Sequence, residues 1–319
     1  MAPMPEPTFL SAAVIGAGMM GPGIAVTLAL GGLRTTIVDL TDEGARAGAE
    51  KACVQLDSLL RSGLADAPTC ARARQSIDSS AEFDATVARA DLVIESVPEK
   101  MELKKEVFAR MDSVARPETV LATNTSGLSV TAIASGCRRP ERVMTTHFWN
   151  PAFLMPLVEV VLGEKTSLKI AEAVRDLMTR CGKTAVIVKK DRPGQLGNRL
   201  QMALWREAMH IVAEGIADPE AVDLAAKMGF GLRLPVYGIF EHADAVGLDM
   251  ILDIISYVSQ DLYSEPRAPQ LIYDLVARGE LGAKSGKGFY DWSQKDIKEV
   301  IARRDEFVLE MARRRRRPN

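Results

Sequence analysis

The chain has 319 residues, 47% hydrophobic and 26% charged, with a formal net charge of −2 and an isoelectric point near 6.1. This balance excludes a polyanion binder, so neither nucleic acid nor an anionic membrane surface is expected as a partner. No apolar stretch reaches the roughly 20 residues a bilayer crossing needs, and the length predicts two domains with material for a sizeable core.

The opening MAPMPEPTF lacks a basic region followed by an apolar run, so no secretory signal is expected and the protein is read as cytoplasmic. The four cysteines, at 53, 70, 137 and 181, are scattered without metal-ligand spacing and read as reduced packing residues; no metal site is predicted.

From Phe9 the chain reads FLSAAVIGAGMMGPGIAVTLALGG: a β-branched run ending at Ile15, a glycine-rich turn, then an apolar helix pattern from about Met19 to Leu30. Gly16, Gly18 and Gly21 match G-x-G-x-x-G between strand and helix. The first glycine permits the tight turn, the second lets backbone approach a pyrophosphate, and the third lets helix and strand pack closely. The next strand, TTIVDL, ends in Asp39, where an acid binds the ribose diol of NAD and repels the 2′-phosphate of NADP. Gly16, Gly18, Met19, Met20, Gly21 and Asp39 are therefore assigned to an NAD site.

A helix is predicted from about Glu43 to Ser62, then a turn around Pro68. ADLVIESVPEK reads as a buried parallel strand, placing Glu95, Ser96, Pro98 and Glu99 near the cofactor at its carboxyl end. MELKKEVFARMDSVA is an amphipathic helix, with Met101, Val107, Phe108 and Met111 to one side and Lys104 and Lys105 to the other. TVLATNTSGLSV gives a further strand and a polar turn carrying Asn124 and Ser126. Ser126 is either a ligand-facing hydroxyl or the cap of the following helix.

The segment THFWNPAFLMPLVEVV, ending at Val161, holds His147, one of three histidines, and Glu159 in an otherwise apolar run. Pro151 and Pro156 break it into strand, loop and strand, and a hairpin centred on Phe153 places 147 opposite 159 and 150 opposite 156. A carboxylate beside an imidazole fixes its tautomer and raises its basicity, as a general base requires; a core histidine beside an acid is the plainer alternative. A helix near Ser167–Cys181 and the strand TAVIVKK follow. The alternation predicts an α/β fold, a Rossmann-type doubly wound and mostly parallel sheet over residues 1–192, followed by a smaller all-helical domain over 193–319. DRPG marks the junction. Helical patterns cover Gln195–Gly215, a stretch capped by Asp218 and Pro219, then Gly238–Ala245, Leu248–Tyr263 and Ala268–Arg278. A last helix from about Gln294 to Arg317 ends in five arginines, read as a solvated face or frayed tail.

Taken in order, VIGAGMMGPGIA, IVD, DLVIESVPE, LATNTSGLS, HFWNP, LVEV, PGQLGNRL and KSGKGFYDW resemble the 3-hydroxyacyl-CoA dehydrogenase family along nearly the whole chain. The resemblance implies NAD as cofactor, His147 as catalytic base and Glu159 as its partner. It places Ser126, Asn150 and Asn198 at the substrate, and Glu99 and Lys104 on the nicotinamide side. It further implies a homodimer formed through the helical domain; His210 and His242 match no family role.

Three departures bear on the substrate. A lysine cluster usual in the CoA-dependent members falls on LLRSGLA, which keeps only Arg61. Pro156 stands where many of those enzymes have lysine, and Trp149 where their motif H-F-F-N-P has phenylalanine. GFGLRLPVYGIFE is similar to a segment of the lambda-crystallin (gulonate) branch, with Arg233 a candidate clamp for a free carboxylate. The expectation is an NAD-dependent dehydrogenase of an L-3-hydroxyacyl substrate, first as a CoA thioester and alternatively as a free 3-hydroxy acid such as gulonate or a carnitine-like compound. A non-catalytic, crystallin-like NAD-binding protein is the alternative from another class.

Overall fold

The computed structural model describes residues 8–316; the first seven residues, on which the absence of an export signal was argued, and Arg317 of the arginine run lie outside the described residues. The first part alternates strand and helix: β1 (Ser11–Ile15), α1 (Gly21–Leu30), β2 (Arg34–Val38), α2 (Asp42–Arg61), α3 (Ala67–Gln75), β3 (Ile77–Ser80), α4 (Phe83–Val87), β4 (Leu92–Glu95) and α5 (Met101–Val114). It continues through β5 (Val120–Thr123), α6 (Val130–Ile133), β6 (Val143–Phe148), β7 (Leu157–Leu162), α7 (Leu168–Arg180) and β8 (Thr184–Val188). Only helices follow: α8 (Gly197–Ala213), α9 (Pro219–Met228), α10 (Phe230–Arg233), α11 (Ile239–Val246), α12 (Leu248–Val258), α13 (Gln270–Ala277) and α14 (Ile297–Arg316).

The strands form one sheet ordered β3-β2-β1-β4-β5-β6-β7-β8, parallel throughout except where β6 meets β7. This is a Rossmann-type fold, and the strand order reverses between β1 and β4, where a ligand crevice opens at the carboxyl ends. Alternation along each strand feeds two cores. Ala12, Val14, Leu92, Ile94, Val120 and Ala122 point to one face, while Ala13, Ile15, Val93 and Leu121 point to the other. Both faces are covered, which explains the near-continuous apolar runs of these strands.

Local signals set the helix boundaries. Thr41 caps α2 by accepting Gly44 N–H at 3.1 Å, and Asp66 caps α3 by accepting Thr69 N–H at 2.7 Å. Pro68 therefore sits in the first turn of α3, where its missing N–H costs nothing, and not in a turn between helices. Ser129, not Ser126, caps α6, accepting Ala132 N–H at 3.1 Å. β3 (IDSS) and α4 have no counterpart in the sequence reading; both are short, and β3 is a polar edge strand. All four cysteines are free, and burial pushes the Cys137 and Cys181 thiols up to about 11.

The chain divides into two compact units, one running through Asn198 and resuming at Arg304, the other spanning Arg199–Arg303. The second unit is built from helices, and of its apolar side chains Pro269 and Leu275 are buried. The end of α14 belongs to the first unit: Val308, Leu309 and Ala312 pack against the first core, Arg313 Nε donates to Ser62 O at 2.7 Å, and Arg315 donates to Thr184 Oγ1 at 2.8 Å. Two of the five arginines are thus fastening groups, which corrects the reading of the run as a solvated tail.

Under the sheet, Asp112 and Arg142 form a buried pair at 2.7 Å, and Arg142 also donates to the carbonyls of Thr119 (3.1 Å) and Arg116. Burial pushes the Asp112 carboxyl up, but the hydrogen bonds from Arg142 and Arg138 outweigh it and hold it below its ordinary 3.8. Its stabilisation is complete above pH 3.8 and is lost as pH falls through the depressed value. Asp112→Ala strands a buried guanidinium and should cost about 3–5 kcal/mol in urea unfolding at neutral pH; a loss below 1 kcal/mol, as for a surface pair, would show the pair to be dispensable.

Candidate active site

A cavity of about 1160 Å³ occupies the crevice between β1 and β4. Gly16 turns with φ +105° and donates to Val38 O at 2.7 Å, fixing the turn against β2. A Cβ on Gly21 would stand 1.9 Å from Gly16 O, so the start of α1 is pressed onto the turn, whereas a Cβ on Gly18 meets nothing within 4 Å. That open approach, with no acid in the first turn of α1, suits a pyrophosphate. Asp39 Oδ2 accepts Ala17 N–H at 2.7 Å and Oδ1 accepts Leu40 N–H at 2.7 Å, so the acid expected to bind the ribose is locked to the glycine turn. Of the residues expected to hold the cofactor, Gly16, Gly18, Met19, Met20, Asp39, Glu99, Asn124 and Ser126 line the cavity. At another part of the wall the Arg110 guanidinium lies 4.3 Å from the Phe83 ring centroid and pairs with Asp84 at 2.8 Å, a flat surface the sequence did not disclose.

Lys104 is placed otherwise than expected. It is 1% exposed, on the same face of α5 as Phe108 and Met111, because 104, 108 and 111 share a helix face. Its ammonium binds buried Glu95 at 2.7 Å and reaches Glu99 at 3.4 Å. Glu95 accepts further from Thr123 Oγ1 (2.6 Å) and Val97 N–H (2.7 Å), so it is also removed from the cavity. Glu99 does face the cavity, and accepts from Ser126 N–H at 2.9 Å and from Thr125 Oγ1. Lys104 thus supports the wall and does not line it.

The β6–β7 ladder pairs His147 with Glu159, as the hairpin predicts; Asn150 and Pro156 lie in the loop beyond it. His147 is 4% exposed and its Nδ1 lies 2.6 Å from Glu159 Oε2. The same oxygen accepts Trp149 Nε1–H at 3.1 Å, while Oε1 accepts the N–H groups of Leu196 (3.0 Å) and Gly197 (2.9 Å) at the start of α8. Burial pushes the Glu159 carboxyl up, but the donors from His147, Gly197 and Trp149 prevail and hold it below its ordinary 4.5. An ionised Glu159 takes Nδ1–H and leaves Nε2 of the imidazole to accept a proton.

The junction closes on the same place. Asn198 Nδ2 donates to Ser126 O at 2.8 Å, and Gln195, buried with φ +54°, donates Nε2–H to Thr125 O at 2.8 Å. Asn124 Oδ1 accepts Phe148 N–H at 2.9 Å, joining the cavity wall to the strand of His147. Asn150 is exposed on the loop after β6. Arg233, the candidate carboxylate clamp, belongs to the second unit and its side chain is exposed in the chain. Gln195, Trp149 and Phe83 are the additions; PGQLGNRL and HFWNP contained two of them but assigned neither a role.

The family profile described as 3-hydroxyacyl-CoA dehydrogenase, NAD binding domain, matches residues 11–192, and that of the 3-hydroxyacyl-CoA dehydrogenase C-terminal domain matches 194–292. The 5-formyl-3-hydroxy-2-methylpyridine 4-carboxylate 5-dehydrogenase of Mesorhizobium japonicum is 33% identical over 94% of this chain and 96% of its own. A probable 3-hydroxybutyryl-CoA dehydrogenase of Bacillus subtilis is 38% identical over 88% of this chain and 97% of its own. Among solved structures, a 5-formyl-3-hydroxy-2-methylpyridine 4-carboxylic acid 5-dehydrogenase, described as an NAD⁺-dependent dismutase, superposes with a TM-score of 0.88 at 31% identity, covering 96% of this chain and 98% of that one. The (S)-3-hydroxybutyryl-CoA dehydrogenase of Ralstonia eutropha gives 0.75 at 31% identity, covering 89% and 99%.

The cofactor assignment can be tested at one residue. Asp39→Asn keeps an oxygen for Ala17 N–H but removes the charge. NADH should bind on the order of tenfold more weakly, with a narrowed preference over NADPH, in a fluorescence titration. An unchanged dissociation constant would remove Asp39 from cofactor recognition.

Proposed function

The chain belongs to the 3-hydroxyacyl-CoA dehydrogenase family of NAD-dependent oxidoreductases acting on CH–OH groups, and on that premise we propose that His147 and Glu159 form its general-base dyad and that its substrate is a small free hydroxy acid. The observation that carries the dyad is the complete satisfaction of buried Glu159, which directs Nδ1 of His147 toward the carboxylate. In oxidation, His147 Nε2 takes the hydroxyl proton as the C–H bond gives up hydride, and Glu159 stabilises the imidazolium. NAD, when bound, supplies the hydride acceptor. Ser126 and Asn150 hold the reacting oxygen, and Asn198 sets the Ser126 turn through its bond to Ser126 O.

Three observations support a free acid over a CoA thioester. LLRSGLA, at the end of α2, keeps only Arg61 of the expected cations, and Arg313 of α14 is bonded to Ser62 within it. α14 lies beyond the residues the family profiles match, whereas the similarity to the Mesorhizobium enzyme extends over 94% of the chain. That relative's name describes a pyridine carboxylate substrate without CoA. A CoA thioester remains the second reading, carried by the terminal KSGKGFYDW and the Bacillus relative.

One set of assays separates these readings. NADH oxidation should be clear with free 3-oxo acids or formyl-substituted aromatic carboxylates and absent with acetoacetyl-CoA; the reverse pattern restores the thioester. His147→Gln should lower turnover by about 10²–10⁴-fold with NADH still bound. Near-normal turnover in that variant would end the base assignment.

The exposed apolar residues of the second unit, among them Trp205, Phe230, Phe240 and Tyr257, support a homodimer with this unit as its interface. Cytoplasmic residence completes the proposal; no helix among the described residues is long and apolar enough to cross a membrane. Light scattering should give twice 34.7 kDa, and a monomer mass at micromolar concentration would refute the interface.

A further inference from the structure

We propose that Trp149 is a positioning residue of the dyad, its indole N–H fixing the carboxylate oxygen that orients the His147 imidazole. The inference rests on the dyad reading above. Trp149 Nε1 lies 3.1 Å from Glu159 Oε2, the oxygen that also binds His147 Nδ1 at 2.6 Å. The two rings stand 5.6 Å apart at 46°, so they meet through the shared carboxylate and not by stacking.

The indole is held in place from its far side. A Cβ on Gly197 would lie 2.5 Å from Trp149 Cζ2, so the ring rests directly against the first residue of α8. The N–H of that same residue binds Glu159 Oε1. Gly197 therefore makes room for the donor to one oxygen and is itself a donor to the other. The groups facing the carboxylate are His147 from β6, Trp149 from the loop, and two backbone N–H groups of the α8 start. Val186 is its ladder neighbour on β8. His147 is the one titratable side chain shown bonded to it among the described residues.

A second donor on Oε2 withdraws charge from the oxygen that stabilises the imidazolium. Removing it leaves a more basic carboxylate, which holds the protonated dyad to higher pH. Trp149→Phe keeps an aromatic ring while deleting the donor and the indole edge that rests on Gly197. In that variant kcat should fall about tenfold with the NADH dissociation constant and substrate KM nearly unchanged. The acid limb of kcat/KM for oxidation should move up by about one pH unit. In the wild type, the Trp149 indole ¹H–¹⁵N resonance, identified by its absence from Trp149→Phe, should titrate with that limb, and it should be displaced in Glu159→Gln.

A lower plateau without movement of the limb would mean packing alone and overturns the proposal. So does an indole resonance that stays fixed across the limb, a measurement that needs no folded variant beyond that used for assignment. An inactive His147→Gln beside an unmoved limb in Trp149→Phe sinks only the role of Trp149. An active His147→Gln sinks the dyad on which it rests.

Discussion

The carboxylate of Glu159 sits at the convergence of segments that the chain brings together from different places. His147 comes from the neighbouring strand, Trp149 from the loop after it, and Leu196 and Gly197 from the junction ahead of α8. A fully buried carboxylate without partners would carry a desolvation cost of several kcal/mol and would protonate instead. Four donors reverse that balance, and the positive end of the α8 dipole adds to it. The constraint is mutual. Glu159 stays ionised only if α8 begins where it does, and α8 begins there with its first N–H groups satisfied by Glu159. The boundary between sheet and helices is thereby fixed at the proposed dyad.

A second buried charge group works by the same logic beneath the cofactor wall. Lys104 and Glu95 neutralise each other in the interior, with Thr123 and Val97 taking the remaining lone pairs of Glu95. Lys104 extends to Glu99, and Glu99 holds the backbone of Ser126. The turn 124–126 is then secured on its other side by Gln195 and Asn198. The cavity wall, Ser126 and the strand of His147 are linked through this one turn. In the proposed reaction rigidity there serves the chemistry, since proton and hydride transfer tolerate little misplacement of the reacting oxygen.

Much of this was legible in the sequence because its signals are local. The glycine turn needs only neighbouring residues to be recognised, and two prolines with a period-two apolar pattern determined the hairpin register that pairs His147 with Glu159. What escaped depends on distant partners. Lys104 reads as lying on the side of its helix away from the apolar residues because its partner Glu95 lies on another element, although its spacing to Phe108 and Met111 already places it on the buried face. Trp149 and Gln195 look like ordinary loop residues until the fold aims their N–H groups at Glu159 and Thr125. The polar strand β3 offers too little apolar pattern to be seen, and its place is given by pairing with β2.

The arginine run shows how a tertiary contact changes what a composition-level feature means. Taken alone, consecutive cations at a helix end are a favourable arrangement for the helix dipole and nothing more. In the folded chain, Arg313 reaches the carbonyl of Ser62 just beyond α2 and Arg315 the first residue of β8, while Leu309 and Ala312 are packed on the core. A cation at the carboxyl end of α2 is stabilising for that helix as well as for α14. The surface so covered includes Ser62, in the stretch where cations for a phosphate-rich carrier were expected and are missing. One helix thus bears on the missing cations: beside Arg61, the last basic residue of α2, the positive charge at this helix end comes from Arg313 and serves cohesion.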